Sequence, residues 1–271
     1  MNFRKKLIVP PGEKVRLDKY DPSDTLGHEL DEKTQAKLQK TLKRLDDLQY
    51  LLYAEKQRAL LIVLQGMDAS GKDGTIRHVM SGVNPVGCRV TPFKVPTEEE
   101  RDHDFLWRIH RAVPEVGMIG IFNRSQYEDV LVVRVHKLVP RHEWKHRYDE
   151  INSFEKMLAQ NRVHILKFFL HISKDEQKKR FEARLTERAK YWKVSQADFA
   201  ERKYWDQYVA AYEDVLSKCS TDAAPWFIIP ANHKWFRDAA VSKILVETLE
   251  SFDMKFPEPP PLKPARKSSK P

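Results

Sequence analysis

A short stretch after an apolar run carries the first chemistry. It reads Gly66-Met67-Asp68-Ala69-Ser70-Gly71-Lys72-Asp73-Gly74 and follows Ala59-Leu60-Leu61-Ile62-Val63-Leu64. Gly66, Gly71 and Lys72 satisfy the spacing G-x-x-x-x-G-K. In a loop between a strand and a helix, that spacing lets backbone N–H groups and the helix N-terminus cradle an anion while the lysine reaches its outer phosphates. The residue after the lysine is usually Ser or Thr, whose hydroxyl binds Mg2+; here it is Asp73. Two carboxylates, Asp68 and Asp73, would repel phosphates in the absence of a cation. With Mg2+ between them, a loop carboxylate becomes a bridging ligand, and Asp68 is the expected one. Asp73 can instead cap the following helix.

A second polar cluster follows another apolar stretch: Asn123-Arg124-Ser125-Gln126-Tyr127-Glu128-Asp129. Arg124 can clamp phosphate oxygens bidentately, and Glu128 and Asp129 can hold Mg2+ or position the attacking group. The same residues also suit a capped helix start, with Ser125 as cap and Glu128 as its partner three residues on. A third group is basic. Lys174–Lys203 holds ten Lys or Arg against six acids. Arg180, Arg184 and Arg188 step by four, which on one helix puts them on one face. A compact nucleotide needs one or two arginines, and a longer stripe suits a longer anion; a solvated charged face is the competing explanation. Asp104, Arg108 and Arg111, on a stretch opened by the capping box Thr97-Glu98-Glu99-Glu100, are expected to line an acceptor pocket.

These groups need a frame. Helical periodicity runs over Glu32–Arg58, with leucines at 38, 42, 45, 48 and 52. Short apolar runs predict strands at Ala59–Leu64, Gly87–Phe93, Met118–Phe122, Val163–Leu170 and Trp226–Ile229. Helices are expected from Thr97 through Val113, after the capping residue Ser173, and from Trp235 to Phe252. Strands separated by helices imply a parallel sheet covered on both faces, with the ligand at the carboxyl ends of the strands. Residues 1–30 read as an irregular arm and 255–271 as a disordered tail rich in Pro and Lys.

The composition excludes several classes. The chain has 271 residues, with 48 Lys and Arg against 39 Asp and Glu, a net charge of +9. Four of those charges fall in the tail, and four of the rest in Lys174–Lys203. Cys88 and Cys219 are isolated and form no disulfide framework or zinc motif. No window is apolar enough for a membrane span, and the N-terminus lacks the apolar stretch of a signal peptide. A cytoplasmic protein without a membrane partner is expected. The surplus charge admits a nucleic-acid-binding protein, but no RNA-binding aromatic motif or recognition helix is present, so no nucleic-acid partner is expected. An ATP-dependent kinase of a small metabolite or nucleoside monophosphate is the nearer rival.

The two motifs together resemble the polyphosphate kinase 2 family. Gly66 to Gly74 is similar to its first motif, and Phe122-Asn123-Arg124-Ser125-Gln126-Tyr127-Glu128-Asp129-Val130-Leu131-Val132 to its second. Lys167–Ser173 and Ala224-Pro225-Trp226 also resemble it, and the similarity runs from about residue 15 to 256. The resemblance implies a P-loop kinase fold, an α/β/α sandwich of three layers with a five-stranded parallel sheet. It places the kinase domain at 31–254, with a helical lid at about 174–203. It also implies phosphate transfer between inorganic polyphosphate and nucleotides with Mg2+ (Mn2+ as a substitute), in a homodimer or homotetramer. By position, Asp68 and Asp129 become the metal-binding or catalytic acids, and Lys72 and Arg124 phosphate ligands. The loop residues Gly66, Ala69, Ser70, Gly71, Asp73 and Gly74 bind phosphate. Arg180, Arg184, Arg188 and Lys190 belong to the polyphosphate channel. Asn123, Arg124, Tyr127, Glu128, Asp104, Arg108 and Arg111 surround the nucleotide. The form Tyr127-Glu128-Asp129 resembles members that accept AMP, or AMP and ADP, to give ATP; guanine nucleotides are a further candidate class.

Overall fold

The computed structural model describes residues 3–259. Five strands form one parallel sheet: β1 (Ala59–Gln65), β2 (Cys88–Pro92), β3 (Ile119–Asn123), β4 (Val163–His171) and β5 (Trp226–Pro230). Their order is β2-β3-β1-β4-β5. All seven residues of β1 are buried, because it pairs with β3 on one side and β4 on the other. That explains its uninterrupted apolar sequence. β2 pairs only with β3 and is half exposed.

The longer helices are α1 (Glu32–Glu55), α2 (Lys72–Val79), α3 (Arg147–Gln160), α4 (Lys174–Thr186), α5 (Trp205–Cys219) and α6 (Lys234–Glu250). α6 packs with α1, α2 and β5, whereas α3 packs with β4 and α5. The result is the expected sandwich of three layers. Strand boundaries agree with the sequence reading to within a residue. α3 and α5 were not anticipated.

Three local expectations fail for physical reasons. α1 stops at Glu55 rather than Arg58, because Lys56 turns into the left-handed region and its N–H closes on Leu52 O. The stretch from Thr97 breaks into two short helices, Glu98–Arg101 and Trp107–Ala112. Between them the Asp104 carboxylate accepts from Leu106 N at 2.9 Å, a local turn that competes with the helix ladder. α4 ends at Thr186, and residues Arg188–Lys193 form a separate 3-10 turn. Arg188 therefore lies off the helix that carries Arg180 and Arg184, and the three do not share one helical face.

The N-terminal segment is integral to the core. Leu7, Val9, Val15 and Leu17 are buried, and Val9 N donates to Trp226 O at 2.9 Å beside the Ile8–Phe227 bridge. Most of the stretch expected to form a tail, from residue 260 on, lies outside the described residues.

Candidate active site

The first motif leaves β1 and enters α2 as a tight loop. Gly71, at φ +104°, is its N-cap. Lys72 folds back so that its Nζ donates to Gly66 O at 2.8 Å and Met67 O at 3.4 Å. Burial, reinforced by the neighbouring charge of Arg124, pulls its pKa down to about 8. Asp73 is not a cap: its carboxylate accepts from Asn123 Nδ2 at 2.7 Å and meets Lys193 Nζ at 3.5 Å. It thereby joins the loop, the end of β3 and the Arg188–Lys193 turn.

The loop is gripped from behind by side chains of α4 and α6. Arg180 Nη1 donates to Ala69 O and Ser70 O, both at 2.9 Å, while its Nη2 reaches Ala231 O at 2.6 Å and Asn232 O at 3.1 Å. Gln177 Nε2 donates to Asp68 O at 3.0 Å. Arg237, only 2% exposed and paired with Asp238 at 2.8 Å, lies against Gly71 and Gly74. Arg180 is thus consumed by four backbone carbonyls. Arg184 is paired with Asp198 at 2.6 Å and donates to Lys193 O, bracing the segment that follows α4. Lys190 pairs with Glu187. Among the described residues Arg188 makes no ion pair and stays exposed.

The second motif begins where β3 ends. Arg124 sits in the left-handed region at φ +66°, with its N–H on Leu64 O. Its Nη2 meets Asp68 at 2.9 Å and its Nη1 meets Glu128 at 3.3 Å. One guanidinium thus ties the two motifs together. No capping box forms: Ser125 Oγ accepts from Tyr127 N at 3.3 Å, and Glu128 turns to Arg124 and to Gln65 Nε2 at 3.1 Å.

Two expected site residues lie elsewhere. Asp129 faces Arg147, whose Nη1 donates to both its carboxylate and its carbonyl at 3.1 Å. Burial raises its pKa to about 6, against the opposing pull of Arg147 and Arg108. The acid that meets Asp68 across Arg124 is therefore Glu128, not Asp129. Tyr127 is fully buried, with its hydroxyl between Glu155 and Lys167, each at 2.8 Å. No nucleotide reaches it in this arrangement.

A cleft opens between the motifs. It is lined on one side by Gly66, Asp68, Arg124 and Glu128, and on the other by Glu201, Trp205, Tyr208 and Tyr212. Glu201 accepts from Tyr208 OH at 3.2 Å and lies 3.0 Å from His136 Nε2, which ties the stretch before α5 to the segment after the second motif. Asp104, Arg108 and Arg111 are not among the lining residues. Arg108 is buried against Lys94 O and Glu100, and Arg111 stacks over Trp107. Sequence reasoning missed the aromatic wall of α5 and the clasp of Arg237. The adjacent Arg237-Asp238 pair, flanked by Trp235-Phe236 and Ala239-Ala240-Val241, was the available signal for the latter.

A phosphate loop, a guanidinium shared by two acids and an aromatic cleft now stand together. The polyphosphate kinase 2 family model matches residues 28–257. The chain belongs to the polyphosphate kinase 2 family. The AMP/ADP-polyphosphate phosphotransferase of Meiothermus ruber is 52% identical over 256 residues, 94% of this chain and 96% of that one. The ADP-polyphosphate phosphotransferase of Rhodopseudomonas palustris is 48% identical, over 95% of this chain and 93% of that one. Among solved structures, the crystal structure of polyphosphate kinase 2 from Arthrobacter aurescens superposes with a TM-score of 0.92 at 42% identity, covering 98% of this chain and 94% of that chain. The matched residues span the loop, the second motif and the stretch from α4 through α5 alike.

Proposed function

We propose that the protein transfers phosphate between inorganic polyphosphate and adenine nucleotides, AMP to ADP and ADP to ATP. The observation that carries this reading is the Asp68–Arg124–Glu128 arrangement at the mouth of the phosphate loop. The relatives' names supply the substrate class. Transfer from a phosphoanhydride needs little covalent chemistry, so positioning and charge neutralisation carry it.

In this reading the amides of Ala69 to Lys72 and the Lys72 ammonium hold the donor phosphates. An anion at the loop replaces the carbonyl contacts of Lys72 and raises its proton affinity. Arg124 swings its fork onto the transferred group, where it stabilises charge as the bond to the leaving phosphate breaks. The acceptor nucleotide occupies the cleft against Trp205, Tyr208 and Tyr212. The donor set suits Mg2+, or Mn2+: Asp68 and Glu128 supply hard oxygens, and among the described residues no cluster of three or more metal-ligating side chains forms a cage. A Mg2+ site built from one or two carboxylates plus substrate phosphates fits that pattern. Held by Asp68 and Glu128, such a cation would supply neutralisation of phosphate charge.

Purified protein with Mg2+, polyphosphate and either AMP or ADP should form ADP and ATP, with guanine nucleotides as a parallel arm. Turnover only with ATP as donor would establish the rival metabolite kinase. A homo-oligomer is part of the proposal, and light scattering of the same preparation tests it. No helix among the described residues is long and apolar enough to cross a membrane.

A further inference from the structure

The second motif stands on a buried ionic network that phosphate chemistry does not by itself require. Lys167 of β4 is 0% exposed and Glu155 of α3 is 1% exposed. Lys167 Nζ pairs with Glu155 and also donates to Tyr127 OH at 2.8 Å and Cys219 O at 2.6 Å. The same Glu155 accepts from Tyr127 OH at 2.8 Å and from Gln126 Nε2 at 2.9 Å. The Tyr127 ring is held edge-on by Trp226 at 4.9 Å. Two consecutive motif residues therefore end on one buried carboxylate.

A buried ion pair is weak as a source of stability, since apolar residues of the same volume often serve as well. What it supplies is direction. Tyr127 lies three residues after Arg124, on the opposite side of one turn. Arg124 adopts φ +66°, a conformation that a non-glycine residue keeps only when its surroundings over-determine it. The turn is pinned at Ser125 and Glu128 by Gln65, at Asp129 by Arg147, and at Gln126 and Tyr127 by the buried network. Of its side chains, Arg124 and its partner Glu128 line the cleft.

We infer that Tyr127, gripped by Lys167 and Glu155, is a positioning residue that aims the Arg124 guanidinium between Asp68 and Glu128. The inference rests on the proposed role of Arg124. It makes the core hydroxyl act on turnover rather than on substrate binding, because the donor loop is clasped separately by Arg180 and Arg237.

Tyr127→Phe removes one oxygen and leaves the Lys167–Glu155 pair and the Cys219 contact in place. It should lower kcat at least fivefold, with KM for polyphosphate and for AMP or ADP changed less than threefold. Lys167→Met/Glu155→Gln, which removes both charges at similar volume, should give the same split. Arg124→Ala should lose at least a hundredfold in kcat, and Arg124→Ala/Tyr127→Phe should fall no further, because the second change acts through a group already gone. Losses that multiply in the double variant would overturn the inference while leaving the role of Arg124 intact. So would unchanged kcat in Tyr127→Phe, or an effect confined to KM. Full activity in Arg124→Ala would remove the proposed role of Arg124 itself, and the inference with it.

Discussion

Gly71 and Arg237 share one space: a Cβ on Gly71 would lie 2.0 Å from the Arg237 Nη1 and 3.2 Å from its Cζ. The glycine is therefore required twice, once for its φ of +104° and once to admit a guanidinium from α6. Gly71→Ala should destabilise the protein by about 1–3 kcal/mol from backbone strain alone, with the collision added, and abolish most turnover. Arg237→Met should strand the buried Asp238 carboxylate, at about 3–5 kcal/mol. Melting temperatures of both, and of the pair combined, decide the matter. The pair should be less destabilised than the sum, because the collision is gone.

The acids of the two motifs should separate by metal dependence. Asp68→Asn and Glu128→Gln should each raise the Mg2+ needed for half-maximal turnover by tenfold or more. Asp129→Asn should leave that requirement unchanged, since its carboxylate faces Arg147. Its pKa is raised to about 6, so the charged form is disfavoured by folding. The Asn variant should accordingly match or exceed the parent in melting temperature at pH 7, and this advantage should shrink as the pH falls from 6 to 4. An unchanged Mg2+ titration for Asp68→Asn would remove Asp68 from the metal site.

Lys72 should set an alkaline limit. Its pKa in the free protein is about 8, below the ordinary lysine value, so its charge is present below pH 8 and lost above it. The kcat/KM for polyphosphate should therefore fall as the pH rises through about 8, and Lys72→Arg should lose that limb while remaining slow. Lys72→Ala should forfeit about 3 kcal/mol of transition-state stabilisation. A flat profile from pH 7 to 9 would contradict the buried ammonium.

The three arginines of α4 and the turn after it should behave differently from one another. Arg180→Gln should lower both stability and turnover, because it releases four loop and β5–α6 carbonyls. Arg184→Gln should loosen the segment after α4 through Asp198 and show most as faster proteolysis near residues 187–200. Arg188→Gln should leave stability unchanged and raise the KM for long polyphosphate modestly, about twofold, with a shallower salt dependence. Donor KM against chain length at two ionic strengths distinguishes them. Identical salt slopes for Arg188→Gln and parent would make Arg188 a solvated surface residue.

The frame was legible because its signals are local. β1 sits between two partners, so its run of apolar residues marks it unaided, and the glycine spacing of the loop follows directly. The second motif was legible as a cluster but not as a geometry. Sequence order put Glu128 and Asp129 side by side, whereas the turn sends one to Arg124 and the other to Arg147. The same turn sends Tyr127 into the core. The stripe of Arg180, Arg184 and Arg188 assumed one continuous helix, and the extended Glu187 ends it a residue early. The helix from Thr97 failed through a side chain that prefers a local turn. Trp205 of α5 and Arg237 reach the site from 131 and 163 residues beyond Gly74, separations that no spacing rule spans.

The antiparallel bridge of Ile8 with Phe227 joins segments 219 residues apart. The buried Leu7 and Val9 depend on β5, which leaves the ribosome long after them. During synthesis these apolar residues stay without their native cover until nearly the whole sheet has been made. The central strand can pair with β3 and β4 well before that. Closure of the β5 edge is therefore a late event, and the N-terminal segment is the part of the fold that must wait longest for its partner.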